Sequence, residues 1–167
     1  PTQRYLRGLF SGGTLCYETQ VIWGDVLPEP VYSNAPLDPA KRLPDSNHSQ
    51  GHSAVDLGEE EFTVGRLHPM IDNDLRIRRL LQEARDPQVG VILLDVVIGY
   101  GAHPDPASEL ASAVRKGRVA AAEAGRELVF VADQHQARVR RDRVEQRVHQ
   151  QQVDHRGLVD DDDVARE

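Results

Sequence analysis

The residues best suited to chemistry are Ser11, Gly12, Gly13 and Thr14. They interrupt a β-type run over residues 4–10 and precede a segment with helical character. A helix that begins directly after a strand leaves its first backbone N–H groups without intrahelical partners, and these groups attract anions together with the helix dipole. Glycines allow close approach to the backbone, while the hydroxyls of Ser11 and Thr14 can cap the helix or donate to a phosphate. We therefore predict a phosphate or anion site, against the alternative of an ordinary strand–helix turn that binds nothing.

A second candidate site follows the most apolar strand of the sequence, predicted over residues 89–97. Such a strand is typical of the centre of a parallel sheet that helices cover on both faces. Ligands bind outside the carboxyl ends of such strands, so Gly99, Tyr100 and Gly101 are expected to contribute to the anion site. Asp95 is either a buried carboxylate with a catalytic partner or a hydrogen-bonded structural residue. His103 is either a proton-transfer residue or an exposed histidine without a function.

Two other patterns suggest chemistry less directly. His48, His52 and Asp56 are spaced four residues apart, as on a metal-binding helix face, but Ser49, Gln50 and Gly51 between them disfavour a helix. We therefore predict no metal site. The single cysteine of the chain, Cys16, falls one turn into the first helix, where a small buried apolar residue is favoured over a nucleophile.

The elements that must position these residues follow from hydrophobic periodicity and from the Gly and Pro positions. We predict a first helix over residues 14–23, followed by a long Pro-rich loop with little regular structure over 24–53. A strand over 53–57 and a solvated acidic turn over 59–61 come next. The remaining elements are a helix over 73–85 with Asp72 as its N-cap, a helix over 108–124 and a strand over 127–132. Strands that alternate with helices pair in parallel. The sequence thus predicts an α/β domain over residues 1–132, a flavodoxin-like (Rossmann-like) doubly wound parallel sheet that is incomplete at its carboxyl end.

Residues 133–167 do not continue this pattern, because they are rich in Arg and Gln and include the acidic run 160–163. They suit a disordered or loosely helical tail, or a slipped reading frame of GC-rich DNA, and we assign them no function.

Composition excludes several classes of function. The net charge of −7 disfavours nucleic acid as a partner. The longest apolar run, residues 89–98, is too short to cross a bilayer. One cysteine leaves no internal disulfide framework. We expect a cytoplasmic protein.

Several segments, in the right order, resemble the FdrA family of acyl-CoA synthetase-like proteins, within the succinyl-CoA synthetase and ATP-citrate lyase superfamily. The matching segments are residues 7–18, 31–37, 49–58, 62–66, 68–72 and 93–107. The resemblance identifies the chain as a carboxy-terminal, ligase-type fragment and implies a second ligase-type domain or subunit as its partner. It also implies that Ser11, Gly12, Gly13 and Thr14 form one of two helix starts that face a phosphorylated intermediate, with Gly99, Tyr100 and Gly101 in the loop after the central strand.

The resemblance further implies an acid–thiol ligase that uses CoA and a nucleotide in its full-length form. A second activity is linked to this family, that of a carbamoyltransferase in allantoin breakdown, in which oxalurate and phosphate give oxamate and carbamoyl phosphate. We expect no cofactor on this chain alone and no catalysis by it in isolation. The alternative function is a non-catalytic docking module that uses the Pro-rich loop as its contact surface.

Overall fold

A computed structural model describes residues 2–132. The prediction for residues 133–167 lies outside the described residues. In chain order the elements are β1 Tyr5–Phe10, α1 Gly13–Val26, β2 Val31–Tyr32, a 3-10 turn Pro39–Lys41, β3 His52–Asp56, α2 Glu60–Thr63, α3 Asp74–Arg85, β4 Val89–Leu94, α4 Pro106–Glu123 and β5 Val129–Val131.

The five strands form one parallel sheet in the order β2-β3-β1-β4-β5. Alternate residues of a strand point to opposite faces, and the apolar clusters follow that alternation. Leu9, Val55 and Ile92 belong to the cluster that includes α3 and α4. Phe10 and Ala54 belong to the cluster that includes α1. Helices therefore cover both faces, and the predicted doubly wound α/β class is confirmed.

The long segment between α1 and β3 is more regular than we predicted. It contains β2, which pairs in parallel with β3 at the edge of the sheet. Ser33 follows β2 and is anchored by two backbone hydrogen bonds, with Lys41 (3.0 Å) and Leu43 (2.9 Å). The rest of the segment is irregular, as predicted, and the two-residue strand β2 forms because β3, which follows it in sequence, supplies the pairing partners.

Smaller differences concern the ends of the elements. Helix α1 runs from Gly13 to Val26 and is longer than predicted, whereas β5 contains only Val129–Val131. The acidic turn is the single helical turn α2, and Glu61 there accepts a hydrogen bond from Asn34 Nδ2 at 3.0 Å. Asn73, and not Asp72, is the N-cap of α3. Asp95 follows β4 and does not lie within it.

A buried cluster of charges joins β1, α3 and the loop before β3. Arg7 Nε donates to Glu83 Oε2 at 2.9 Å, and Arg79 Nε donates to Glu83 Oε1 at 2.7 Å. The Ser49 hydroxyl donates to the same Oε1 at 2.6 Å, and Arg7 Nη2 reaches Asp86 at 3.0 Å. Removing one member of such a cluster would leave a buried charge unpaired, which costs free energy. The cluster therefore stabilises the packing of the loop against α3.

Candidate functional site

The carboxyl ends of three neighbouring strands meet where the chain changes direction across the sheet. Strand β3 lies on one side of β1 and β4 on the other, which makes the carboxyl end of β1 the topological switch point, where doubly wound sheets bind their ligands. Ser11 follows β1, Asp56 ends β3 and Asp95 follows β4. The sheet order thus brings these three residues, distant in sequence, to one edge.

Helix α1 begins at this edge without a side-chain cap. Its N-cap is Gly12, which has an extended backbone, and no acidic residue lies in the first turn. The expectation that Ser11 or Thr14 caps the helix is therefore wrong. A Cβ placed on Gly12 would have no atom within 4 Å other than those of Gly12 and the two adjacent residues. The first N–H groups of α1 consequently have neither an intrahelical partner nor a cap, and the space beside Gly12 is open.

Ser11 is directed toward Asp95 and away from that space. The Asp95 carboxylate accepts hydrogen bonds from the Ser11 backbone N–H at 3.1 Å and from the Ser11 hydroxyl. Arg76 Nη2, on α3, donates to Asp95 Oδ1 at 2.5 Å and also to the Asp95 carbonyl oxygen. Burial lowers the pKa of the Arg76 guanidinium, and the charge of Asp95 opposes that shift. These contacts favour the structural interpretation of Asp95, since its carboxylate is already used in holding β1, β4 and α3 together.

Asp56 contributes a second buried carboxylate. Its side chain lies beside α1, with Oδ2 3.3 Å from the position of a Cβ on Gly13, and Oδ1 accepts from the Gly58 N–H at 2.8 Å. The Asn34 side chain bonds both the N–H and the carbonyl of Asp56, each at 2.9 Å. Burial raises the pKa of the Asp56 carboxyl above its ordinary value. Carboxyl groups with a perturbed pKa are frequent at functional sites.

Gly58 allows the turn after β3 to pack closely against the site. A Cβ on Gly58 would lie 2.6 Å from the Ser11 carbonyl oxygen, 2.9 Å from His68 Nε2 and 3.1 Å from Asp56 Oδ1. His68 Nδ1 accepts from the Met70 N–H at 3.2 Å, so the hydrogen is on Nε2 in the neutral ring. Asp56, Gly58 and His68 therefore surround the start of α1 on the β3 side.

The Gly99–Gly101 loop lies on the β4 side. Gly99 and Gly101 have positive φ of 145° and 83°, and Tyr100 is fully exposed. The His103 N–H donates to the Met70 carbonyl at 2.9 Å, and His103 Nε2 lies 3.5 Å from Glu109. Within the described chain, none of the three loop residues is hydrogen bonded to residues 11–14. Their role in the anion site stays a prediction, as does proton transfer by His103.

Cys16 packs against the α1 face of the sheet. It is fully buried, and its thiol contacts the Ala54 carbonyl oxygen at 3.5 Å. Burial raises the pKa of the Cys16 thiol to about 12. The prediction of a buried small apolar residue is confirmed, because a thiol with so little thiolate is a poor nucleophile.

The histidines that suggested a metal site lie apart from one another and have other partners. His48 pairs with Asp45 at 2.6 Å, and His52 pairs with Glu29 at 2.9 Å. Within residues 2–132, no group of three or more potential ligands is placed to hold a metal ion.

The sequence patterns did not indicate that Asp56, Gly58 and His68 lie beside the start of α1, or that Arg76 pairs with Asp95. One signal was available: Asp56, Leu57 and Gly58 form an acidic, Gly-containing turn directly after a strand. Arg76 gave no such signal, since its partner Asp95 is 19 residues away and belongs to another element.

Among the described helices, none has the length and apolar character needed to cross a bilayer. The parallel sheet, with helices on both faces and the carboxyl end of β1 between β3 and β4, defines a doubly wound α/β domain. The family model for CoA-ligase matches residues 9–154. The uncharacterized protein YahF of Escherichia coli (strain K12) is 47% identical over 136 residues, which cover 79% of this chain and 25% of YahF. The chain belongs to the CoA-ligase family and is succinyl-CoA synthetase-like. It spans about a quarter of the length of this curated relative.

Proposed function

We propose that this domain handles a phosphoryl or acyl-phosphate group at the start of α1, as part of a larger acyl-CoA synthetase-like ligase. The observation that carries the proposal is the uncapped start of α1 at the switch point of the sheet, with open space beside Gly12. Such N–H groups bind an anion without moving first, which is the kind of stabilisation that acyl-phosphate chemistry needs. CoA and a nucleotide are proposed as cofactors of the full-length parent.

The more specific form of the proposal is an FdrA-like protein in the cytoplasm. It is supported by the resemblance of residues 7–18 and 93–107 to that family. In this form the domain works beside a second ligase-type domain or subunit. The reaction is either acid–thiol ligation or the carbamoyl transfer that releases oxamate and carbamoyl phosphate in allantoin breakdown.

Gly12→Val tests the site. No atom beyond the two adjacent residues lies within 4 Å of a Cβ on Gly12, and its φ of −171° suits any residue, so the fold should be retained. The added methyl groups would cover the first N–H groups of α1. We expect the affinity of the 167-residue chain for inorganic phosphate, measured by calorimetry, to fall at least about tenfold, which is the effect of losing one or two charge-assisted hydrogen bonds.

Gly24→Val is the matched control, because Gly24 lies in the same helix with equally open surroundings. Its affinity for phosphate should equal that of the original chain. Equal affinity in Gly12→Val would overturn the site. Gly13→Val is a less clean probe, since a Cβ there would lie 3.0 Å from the Tyr17 ring and 3.3 Å from Asp56.

One observation favours the alternative function, a docking module, but it concerns a surface other than the Pro-rich loop. Exposed apolar side chains cluster in two segments that the His103–Met70 hydrogen bond holds together. They are Val64, Leu67 and Ile71 before α3, and Ile98 and Tyr100 after β4. Apolar patches of this kind mark interaction surfaces, and we propose that the second ligase-type domain covers this one.

Docking predicts that residues 64–71 exchange their amide hydrogens at least about tenfold more slowly in the full-length parent than in the 167-residue chain. Gly12→Val in the parent should leave that protection unchanged, because it alters the helix start and not the patch. Equal exchange in the parent and the chain would contradict docking at this surface.

A further inference from the structure

Ser11 is the last residue that side-chain hydrogen bonds hold in place before α1 begins. Its backbone N–H donates to both oxygens of the Asp95 carboxylate at 3.1 Å, and its hydroxyl donates to the same carboxylate. Gly12, which follows, has no side-chain cap, and no atom beyond the two adjacent residues lies within 4 Å of its Cβ position. Glycine has more backbone freedom than any other residue. The direction in which the chain enters α1 therefore depends on how firmly Ser11 is held.

Asp95 is held in turn by Arg76. Arg76 is 1% exposed, and its Nη2 donates to Asp95 Oδ1 at 2.5 Å and to the Asp95 carbonyl oxygen. Within residues 2–132, the Nε of Arg76 is buried without a hydrogen-bond partner. An unpaired buried donor costs free energy, so the guanidinium is not placed to satisfy all of its own N–H groups. It is placed to fix the Asp95 carboxylate at the end of β4.

Arg76 also offsets the negative charge of Asp95. An unpaired carboxylate next to Ser11 would repel an anion at the start of α1. Paired with the guanidinium, Asp95 accepts the hydrogen bonds of Ser11 while its charge is balanced. A buried chain of contacts thus runs from Arg76 on α3 through Asp95 to the residue that precedes the N-cap of α1.

We propose that Ser11 is a positioning residue of the phosphoryl site, which holds the N–H groups of Gly12 and Gly13 in the direction that binds the ligand. Its hydroxyl is bonded to Asp95 and does not contact the ligand. Donors that are fixed before the ligand arrives bind it more tightly, because binding then requires no further ordering of the chain. The inference rests on the proposed phosphoryl site.

Ser11→Ala tests this role, since it removes the hydroxyl and keeps the backbone N–H. We expect the affinity of the 167-residue chain for inorganic phosphate, measured by calorimetry, to fall about fivefold, because part of the backbone freedom of one residue returns. In the phosphate-free chain, the NMR order parameter of the Gly12 amide should fall from about 0.85 to about 0.6. Ser11→Thr, which keeps a hydroxyl on Cβ, should restore both values.

Ser53→Ala is the matched control. Ser53 is fully buried in β3, and its hydroxyl donates to the Gln50 carbonyl oxygen at 2.8 Å, away from the carboxyl end of the strand. This variant also loses a buried hydroxyl and its hydrogen bond, so its stability in urea should fall by a similar amount. Its phosphate affinity and its Gly12 order parameter should equal those of the original chain.

Each failure has a distinct meaning. Unchanged phosphate affinity in Ser11→Ala would overturn the positioning role and leave the phosphoryl site standing. Weaker binding with an unchanged Gly12 order parameter would also overturn it, since the hydroxyl would then contact the ligand directly. If the original chain binds no phosphate up to about 10 mM, weaker than the usual range of specific sites, the phosphoryl site and the inference fail together. Where Ser11→Ala does not fold, Ser11→Cys replaces it, because a thiol is close to a hydroxyl in size and a weaker donor.

Discussion

Replacing Arg76 with methionine is expected to lower the free energy of unfolding by about 3 to 5 kcal/mol, the usual cost of removing one partner of a buried ion pair. Arg76 is 1% exposed, and its guanidinium is the cation that faces the buried Asp95 carboxylate. Methionine would fill much of the space but would leave that carboxylate with only the Ser11 donors. The measurement is urea unfolding of the 167-residue chain.

Arg78→Met provides the comparison on the same helix. Arg78 pairs with Asp74 at 2.9 Å, but its side chain is 57% exposed. Exposed pairs of this kind contribute about 0.3 to 0.5 kcal/mol. The double variant Arg76→Met with Asp95→Asn should recover part of the loss, because no unpaired charge then remains buried. A loss in Arg76→Met as small as that in Arg78→Met would show that the Asp95 pair does not hold the three elements together.

Gly58→Ala is expected to destabilise the domain by about 2 to 3 kcal/mol, as forced overpacking does. The added Cβ would stand 2.6 Å from the Ser11 carbonyl oxygen, a backbone atom that cannot rotate away. It would also press on His68 and Asp56, so we expect weaker phosphate binding in addition to lower stability. Thermal unfolding and phosphate calorimetry on the same sample measure both effects.

The matched variant is Gly24→Ala, in the exposed end of α1, where a Cβ meets nothing within 4 Å. Alanine is favoured over glycine inside a helix by up to about 1 kcal/mol, so this variant should gain stability. The opposite signs separate crowding at Gly58 from any general effect of adding a methyl group. A Gly58→Ala protein as stable as the original would mean that the turn after β3 is not tightly packed against Ser11.

The class of the fold could be predicted because it depends on local patterns. The apolar run that forms β4 predicts a buried parallel strand, and the alternation of strands with helices predicts parallel pairing. The strand β2 could not be predicted, since two residues carry no periodicity and form a strand only because β3 pairs with them.

In the candidate site, too, some features could be predicted from neighbouring residues and others could not. Gly12 and Gly13 are recognisable as a helix start from neighbouring residues alone, and Asp95 is recognisable as a carboxylate in an otherwise apolar run. The hydrogen bonding of Ser11 to Asp95 could not be predicted from the sequence, because it requires β1 and β4 to be adjacent in the sheet. The same holds for Asp56, which reaches Gly13 only across the β1–β3 pairing.

The sequence by itself therefore determined the α/β class, the strand–glycine–helix turn and the buried Cys16, since each follows from residues within one or two turns of each other. The tertiary structure alone decided which carboxylate pairs with Arg76, that Asp56 lies beside the first residue of α1, and that Gly58 packs closely against the Ser11 carbonyl oxygen. The physical reason is that ion pairs, buried acceptors and steric limits depend on atoms that the sheet order brings together. These atoms belong to residues far apart in sequence, and hydrophobic periodicity gives information only about residues within one helix or strand.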